Sequence, residues 1–433
     1  MKKSDVTILG LALFAMFFGA GNLIFPPAIG NQVGLDWFVA MLGFFATGIG
    51  MPILGVIAVI KAGGGIMDFG KHVGQRFSLV FGLVIAFILG PFMGVPRTGA
   101  TTFEMGLEPL FPGLPSVYVI LVFFALTWLL SIKQSSIIDI IGKWLTPILV
   151  VLLVTIVSVG VIKGVGSPAT SNPDAFKIGF TGGYQTMDLF VAVMLGAIIL
   201  KTLKDKGCQE SQFVSITRKA GLIAAAGLIL IYGGLLFLGA HGQDLLSGLS
   251  SRSMMTVTLV QNILGHTGSL ILGISVSFAC LTTSIGITAA ASAFFDEVTP
   301  KWLSYNKIVS LSVVLSSAMA LGGVEFIVGI AGPLLTIIYP LGIVLVIMNL
   351  FNNYIPFKAS YRWTVAATSL VSIPAGISEF GIFSDAINQL INSLPWADIG
   401  LPWLLPALIG YSVSFIYYGM KRSTKKKKIQ PQY

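Results

Sequence analysis

The run Gly19-Ala20-Gly21-Asn22-Leu23-Ile24-Phe25-Pro26-Pro27 stands in the middle of the first long apolar segment, residues 6–30. Two glycines and an asparagine weaken a helix, and two prolines withhold backbone donors, so the helix is expected to break here. If the amides of Gly19 and Asn22 lose their helical bonds, the carbonyls of Ala15 and Phe18, their i−4 partners, become free to coordinate a cation. Beyond the gap the bare amides of Ala20 and Gly21 open a second half-helix, whose positive dipole end suits a carboxylate. One break thus offers ligands for a cation and donors for an anion, the chemistry needed to hold a zwitterionic amino acid beside a metal ion. A close-packing pair of small residues is the simpler reading. Packing alone does not account for Asn22 followed by two prolines.

The surrounding sequence puts this break in a bilayer. Of 433 residues, 55% are hydrophobic and 10% charged, and the mean hydropathy is +0.90, outside the usual range of soluble domains. A membrane-crossing helix needs roughly 20 apolar residues. Such stretches recur at about 6–30, 37–61, 77–101, 116–132, 137–162, 184–203, 217–239, 267–295, 306–323, 325–350, 360–378 and 399–420. The expected fold class is an all-α membrane protein of about twelve transmembrane helices, forming one domain over 1–420 with a basic tail at 421–433. The lysines and arginines give a net charge of +9. With the N-terminus in the cytoplasm, all but four of them fall in cytoplasmic segments: Lys163, Lys177 and Arg252 lie outside and Arg97 lies within the membrane. That asymmetry follows the positive-inside rule and puts both termini in the cytoplasm. The start, Met1-Lys2-Lys3, imitates a signal peptide, but Asn22, Pro26 and Pro27 lead straight into more apolar sequence. Cys208 and Cys280 are too few for a disulfide framework and are read as free thiols. The loop 163–183 reads as irregular, and 241–266 has the length for a short helix or two.

A second interruption, Leu195-Gly196, lies five spans after the first. Paired interruptions point to an inverted repeat with discontinuous helices 1 and 6, its halves at about 6–162 and 184–350, followed by two extra helices at 360–420. The stretch Leu189, Phe190, Val191, Ala192, Val193, Met194, Leu195 and Gly196 would then line the second break with apolar side chains suited to an aliphatic substrate, although ordinary core sequence reads the same way. On the eighth span Ala279, Thr282 and Thr283 are spaced i, i+3 and i+4 and share one helix face. One carbonyl and two hydroxyls there, with the two carbonyls freed on span 1, make five neutral oxygens able to hold a monovalent cation. Hydroxyls bonding back to their own helix are the ordinary alternative.

An arginine at membrane depth is costly unless paired or facing water. Glu104 lies about two turns from Arg97, so the two are read either as a structural pair or as a gate, with Asp188 another partner for the arginine. His72, His241 and His266 fall near loops or span ends without spaced partners, which speaks against a membrane enzyme. A divalent-metal carrier would want an acidic residue in the first break, and none is there. A channel would not need paired broken helices.

At these residues the chain resembles the branched-chain amino acid:cation symporters of the amino acid, polyamine and organocation superfamily. The resemblance runs end to end. It is carried by residues 19–27, by Gly90-Pro91, by Pro96-Arg97-Thr98 through Glu104, and by Gly183-Tyr184-Gln185-Thr186-Met187-Asp188. It implies a five-plus-five inverted repeat and sodium-coupled import of leucine, isoleucine and valine in a bacterial inner membrane. No cofactor, nucleic acid or obligatory protein partner is implied. The eighth-span run 278–285 is similar to that of the related neurotransmitter:sodium symporters, with Cys280 and Thr283 substituted. By that similarity the sodium ligands are Ala15, Phe18, Ala279, Thr282 and Thr283, and the substrate residues Gly19, Ala20, Gly21, Asn22, Leu189, Ala192, Val193, Leu195 and Gly196. Asn22 also matches a ligand of a second sodium site. No asparagine on 217–239 completes that site, so one sodium ion is expected. Proton coupling on the same fold is the alternative; it would place a basic residue where sodium sits, but the only lysine near the cytoplasmic half of span five is Lys143, close to that end.

Overall fold

A computed structural model describes residues 3–133, 137–299 and 303–427. The side chains of Lys143 and of the 421–433 tail lie outside the described residues. Almost everything described is helical, as a bilayer requires of a chain that must satisfy its own backbone. The helices are α1 (Lys3–Phe17), α2 (Gly21–Val33), α3 (Trp37–Ala62), α4 (Gln75–Leu107), α5 (Ser116–Lys133), α6 (Ile137–Lys163), α7 (Ala175–Tyr184), α8 (Asp188–Asp205), α9 (Glu210–His241), α10 (Arg252–Val298), α11 (Tyr305–Ala320), α12 (Gly323–Leu350), α13 (Ala359–Glu379) and α14 (Leu404–Lys427). Among the described residues, six stretches are long and apolar enough to cross a membrane: α3, α4, α7 with α8, α9, α10 and α12. The bent pair α1 and α2 makes a seventh.

Two helices are broken. Between α1 and α2 the axis turns by 67°. The Phe18 amide makes a last helical bond to Phe14 (2.9 Å), after which Asn22 turns to the Gly19 carbonyl (3.2 Å) instead of that of Phe18. The second break was expected at Leu195-Gly196 and falls instead at Gln185-Thr186-Met187, between α7 and α8. There the amides of Gln185, Thr186 and Met187 bond three residues back, a tightened final turn. Met187 then takes the left-handed conformation, φ 62°. Leu195 and Gly196 are continuous helix. A Cβ on Gly196 would lie 2.5 Å from Val59 Cγ1, so this glycine lets α8 close on α3. The sixth span therefore starts at Ala175 rather than 184, and the end of the loop read as irregular is helix α7.

The two broken helices are packed reciprocally. Both halves of the first, α1 and α2, lie along α9, and both halves of the second, α7 and α8, lie along α3. Glycines allow each crossing: a Cβ on Gly30 would meet the Leu236 carbonyl at 2.0 Å, and one on Gly179 the Ala40 carbonyl at 1.9 Å. Such an exchange of partners is what an inverted repeat produces, with each first helix seated on the second helix of the other half.

Helix α4 departs from the expected third span. Wider π-type turns at Ile88–Phe92 and Thr102–Leu107 flank Gly94–Thr101, and Gly90 before Pro91 is non-helical. The span reaches Leu107, so Glu104 lies inside it. On one face of the bundle Gly34 bridges Ser171, and Gln243 accepts from the Ala169 and Thr170 amides while donating to the Asn31 carbonyl. The segment read as a short helix or two becomes Gln243–Leu246 plus the first part of α10, which kinks at Gly265. Cys208 and Cys280 are free thiols.

Candidate functional site

The two breaks meet across a small set of buried polar side chains. Asn22, second residue of α2, donates from Nδ2 to Asp188 Oδ2 at 2.6 Å and also to the Tyr232 hydroxyl of α9. Asp188 is the first residue of α8, where a carboxylate faces the positive end of a helix. Its own amide is turned toward the Thr186 hydroxyl, 3.4 Å away. The start of α2 is thereby tied to the start of α8. Tyr232 packs against the rings of Phe18 (6.2 Å) and Phe44 (5.6 Å), so the polar pair sits in an aromatic setting.

Arg97 comes to the same place from α4. Its Nη1 donates to the Gln185 carbonyl at 2.6 Å, and Nη2 lies 3.5 Å from the Thr186 carbonyl, both groups freed by the second break. The guanidinium also covers Gly21 of the first break: a Cβ there would be 2.6 Å from Nη2. The Phe25 ring lies 5.5 Å away, within range of a cation–π contact. Arg97 is 4% exposed, and its Nε has no partner. Among the described residues no acidic group makes an ion pair with it.

Arg97 and Glu104, read together from their spacing, go to different partners. Glu104 accepts the Val324 amide at 2.8 Å and caps the start of α12. The π-type turn at Thr102–Leu107 begins between the two positions and contains Glu104, rotating it off the face that regular spacing assigns it.

Of the candidate ion ligands, Ala15 and Phe18 flank the first break, and the eighth-span group stands close by: a Cβ on Gly19 would be 3.9 Å from Thr283 Cγ2. Thr282 donates to the Ala279 carbonyl at 2.9 Å. That bond is the helix-internal alternative, yet a hydroxyl that gives its proton away keeps two lone pairs for a cation. Ala279, Thr282 and Thr283 are all half-buried. Gly19, Ala20, Gly21 and Asn22 are all at the first break. Leu189 and Ala192 are drawn to α3 instead, where a Cβ on Gly55 would lie 2.8 and 3.4 Å from them, and Val193 is buried. Leu195 and Gly196 are away from both breaks.

Sequence reasoning missed Tyr232 and the roles of Gln185, Thr186 and Asp188. The available signal was the polar run Gln185-Thr186-Met187-Asp188 inside an apolar stretch that continues on both sides. A cavity of about 490 Å³ reaches Gln185 and is also walled by Arg252, Glu325, Gly332, Pro333 and Glu379. Arg252 and Glu325 form an ion pair on its wall.

A helical membrane bundle with two discontinuous helices facing each other has the architecture of secondary transporters. Solved transporters share it. The inward-facing conformation of Mhp1 matches with a TM-score of 0.64 at 12% identity, over 99% of this chain and 95% of that one. MhsT in complex with L-phenylalanine matches with a TM-score of 0.55 at 19% identity, over 93% and 97%. The fold is thus the five-plus-five inverted repeat with broken helices 1 and 6. A family model described as branched-chain amino acid transport protein matches residues 2–421. The branched-chain amino acid permease BrnQ of Bacillus subtilis is 35% identical over 96% of this chain and 97% of its own length. The chain belongs to the branched-chain amino acid transport protein family, whose members are multi-pass membrane permeases rather than enzymes.

Proposed function

We propose that the protein is a sodium-coupled symporter that imports leucine, isoleucine and valine by alternating access. It would cross a bacterial inner membrane twelve times with both termini in the cytoplasm, in two repeats followed by two further helices. The orientation rests on the distribution of lysine and arginine. The substrate would lie between the two breaks, its charged end near Gly19, Ala20, Gly21 and Asn22. Sodium would be held by the carbonyls of Ala15, Phe18 and Ala279 and the hydroxyls of Thr282 and Thr283. The observation that carries the reading is the approach of Thr283 to Gly19, which joins the eighth span to the broken first. An ion bridging them would favour one arrangement of the broken helix, and substrate affinity would follow by linkage.

Asp188 favours a second reading. A buried carboxylate bonded to the first break can carry a proton, which would make the protein a proton-coupled porter of the same substrates. Uptake of labelled leucine into proteoliposomes separates the two. Sodium-driven accumulation, lost in a Thr282→Ala/Thr283→Ala double variant, is expected. Accumulation driven by a proton gradient, with sodium without effect, would establish the second reading instead.

A further inference from the structure

Arg97 and Asp188 are both buried at membrane depth where the two breaks meet, and neither makes an ion-pair contact among the described residues. A charge so placed is costly until a counter-charge arrives. They do not neutralise one another by contact: Arg97 turns to the carbonyls of Gln185 and Thr186, and Asp188 accepts from Asn22. The guanidinium is also incompletely used. Nη1 is engaged at 2.6 Å, Nη2 only loosely at 3.5 Å, and Nε has no partner. Nε and Nη2 form the edge of the guanidinium that grips a carboxylate with two parallel hydrogen bonds. Asp188 accepts a hydrogen bond from the neutral amide of Asn22 and, among the described residues, has no cation in contact with it.

We infer that Arg97 and Asp188 form a charge clamp for the zwitterionic head of the substrate, Arg97 taking the α-carboxylate through Nε and Nη2 and Asp188 taking the α-ammonium. This rests on the proposed amino acid substrate and adds to it two recognition residues, one on α4 and one at the start of α8. The clamp explains why Gly21 has no side chain, since a Cβ there would displace the guanidinium from the first break. It also makes the aliphatic part of the substrate a separate requirement, met by apolar walls such as Phe25 and Phe18.

The test is equilibrium binding to the purified full-length protein of three ligands: labelled L-leucine, 4-methylpentanoate, which lacks the amino group, and 3-methylbutylamine, which lacks the carboxylate. In the wild type each analogue should compete at least about tenfold more weakly than leucine, ~1.4 kcal/mol. Asp188→Asn should weaken leucine by a similar factor while leaving 4-methylpentanoate unchanged or tighter. Arg97→Gln should weaken leucine and leave 3-methylbutylamine unchanged or tighter, and Arg97→Lys should restore part of the loss. An analogue that competes as well as leucine in the wild type overturns the clamp even if no variant folds. So do variants that weaken all three ligands alike, or that bind leucine normally. A wild-type protein that binds none of the three and no valine or isoleucine overturns the proposed substrate class itself, which is a different failure.

Discussion

The first break falls at Phe18–Ala20 and is built from glycine; the second falls at Gln185–Met187 and contains none. At the first, glycine provides room: the guanidinium of Arg97 lies where a Gly21 side chain would be. At the second, the chain passes through Met187 in a left-handed conformation that costs roughly 1–2 kcal/mol for an L-residue. The freed Gln185 carbonyl is taken up by Arg97, and Met187 itself is buried. One break is permitted by local sequence; the other is held by tertiary contacts. A sequence signal is therefore expected only from the first.

Substitutions at the two breaks should separate them. The largest effect is expected from Gly21→Ala, which sets a methyl 2.6 Å from Arg97 Nη2 and should lower leucine uptake at least about tenfold, ~1.4 kcal/mol in affinity. Gly19→Ala, whose new methyl would find its nearest neighbours at 3.8 and 3.9 Å, should stay within about threefold of wild type. Equal effects from the two would remove the argument that Arg97 fixes the glycine. Next comes Met187→Val. A β-branched residue is a poor occupant of left-handed backbone, so thermal unfolding in detergent should show a loss of about 1–3 kcal/mol. Unchanged stability would mean that the second break tolerates sequence more freely than its geometry suggests.

Gly196→Leu should be smaller in function than in stability. Overpacking against Val59 costs about 1–3 kcal/mol, yet the leucine KM of the protein that folds should not move. A selective change in KM would return this residue to the substrate site. The smallest effect concerns Asp36, in the loop at residues 34–36. The Ser171 hydroxyl and, secondarily, the Asn172 amide hold its carboxyl below the usual range. A depressed folded-state pKa gives stability that is present above the unfolded value of about 3.9 and is lost as pH falls through the folded one. Asp36→Asn should therefore lower the melting temperature slightly at pH 7 and flatten its fall below about pH 4, so that variant and wild type converge in acid. An identical acid profile in wild type and variant would contradict this.

The helical class, the first break and the polar face of α10 were legible because each is a property of a few adjacent residues. Glycine and proline dictate backbone behaviour wherever they occur, and a Thr-Thr pair three and four residues after Ala279 must share its face. The second break was not legible, because left-handed Met187 carries no mark that distinguishes it from helical methionine. Its neighbours Gln185 and Thr186 were visible as polar residues but lay at the edge of a span drawn to begin at Tyr184. The separation of Arg97 from Glu104 was hidden for a related reason: regular spacing puts them on one face, and the π-type turn that moves Glu104 away is not written in Thr102-Phe103. The bond from Arg97 to Gln185 joins positions 88 residues apart and belongs to packing alone.

If the two breaks and the eighth span form one site, sodium and substrate bind cooperatively. Equilibrium binding of labelled leucine to the full-length protein, with and without sodium and at two proton concentrations, tests it most directly. Affinity is expected to fall at least about tenfold when sodium is removed, ~1.4 kcal/mol of coupling, and to be insensitive to pH between about 6 and 8. Leucine affinity that ignores sodium and follows pH would contradict it.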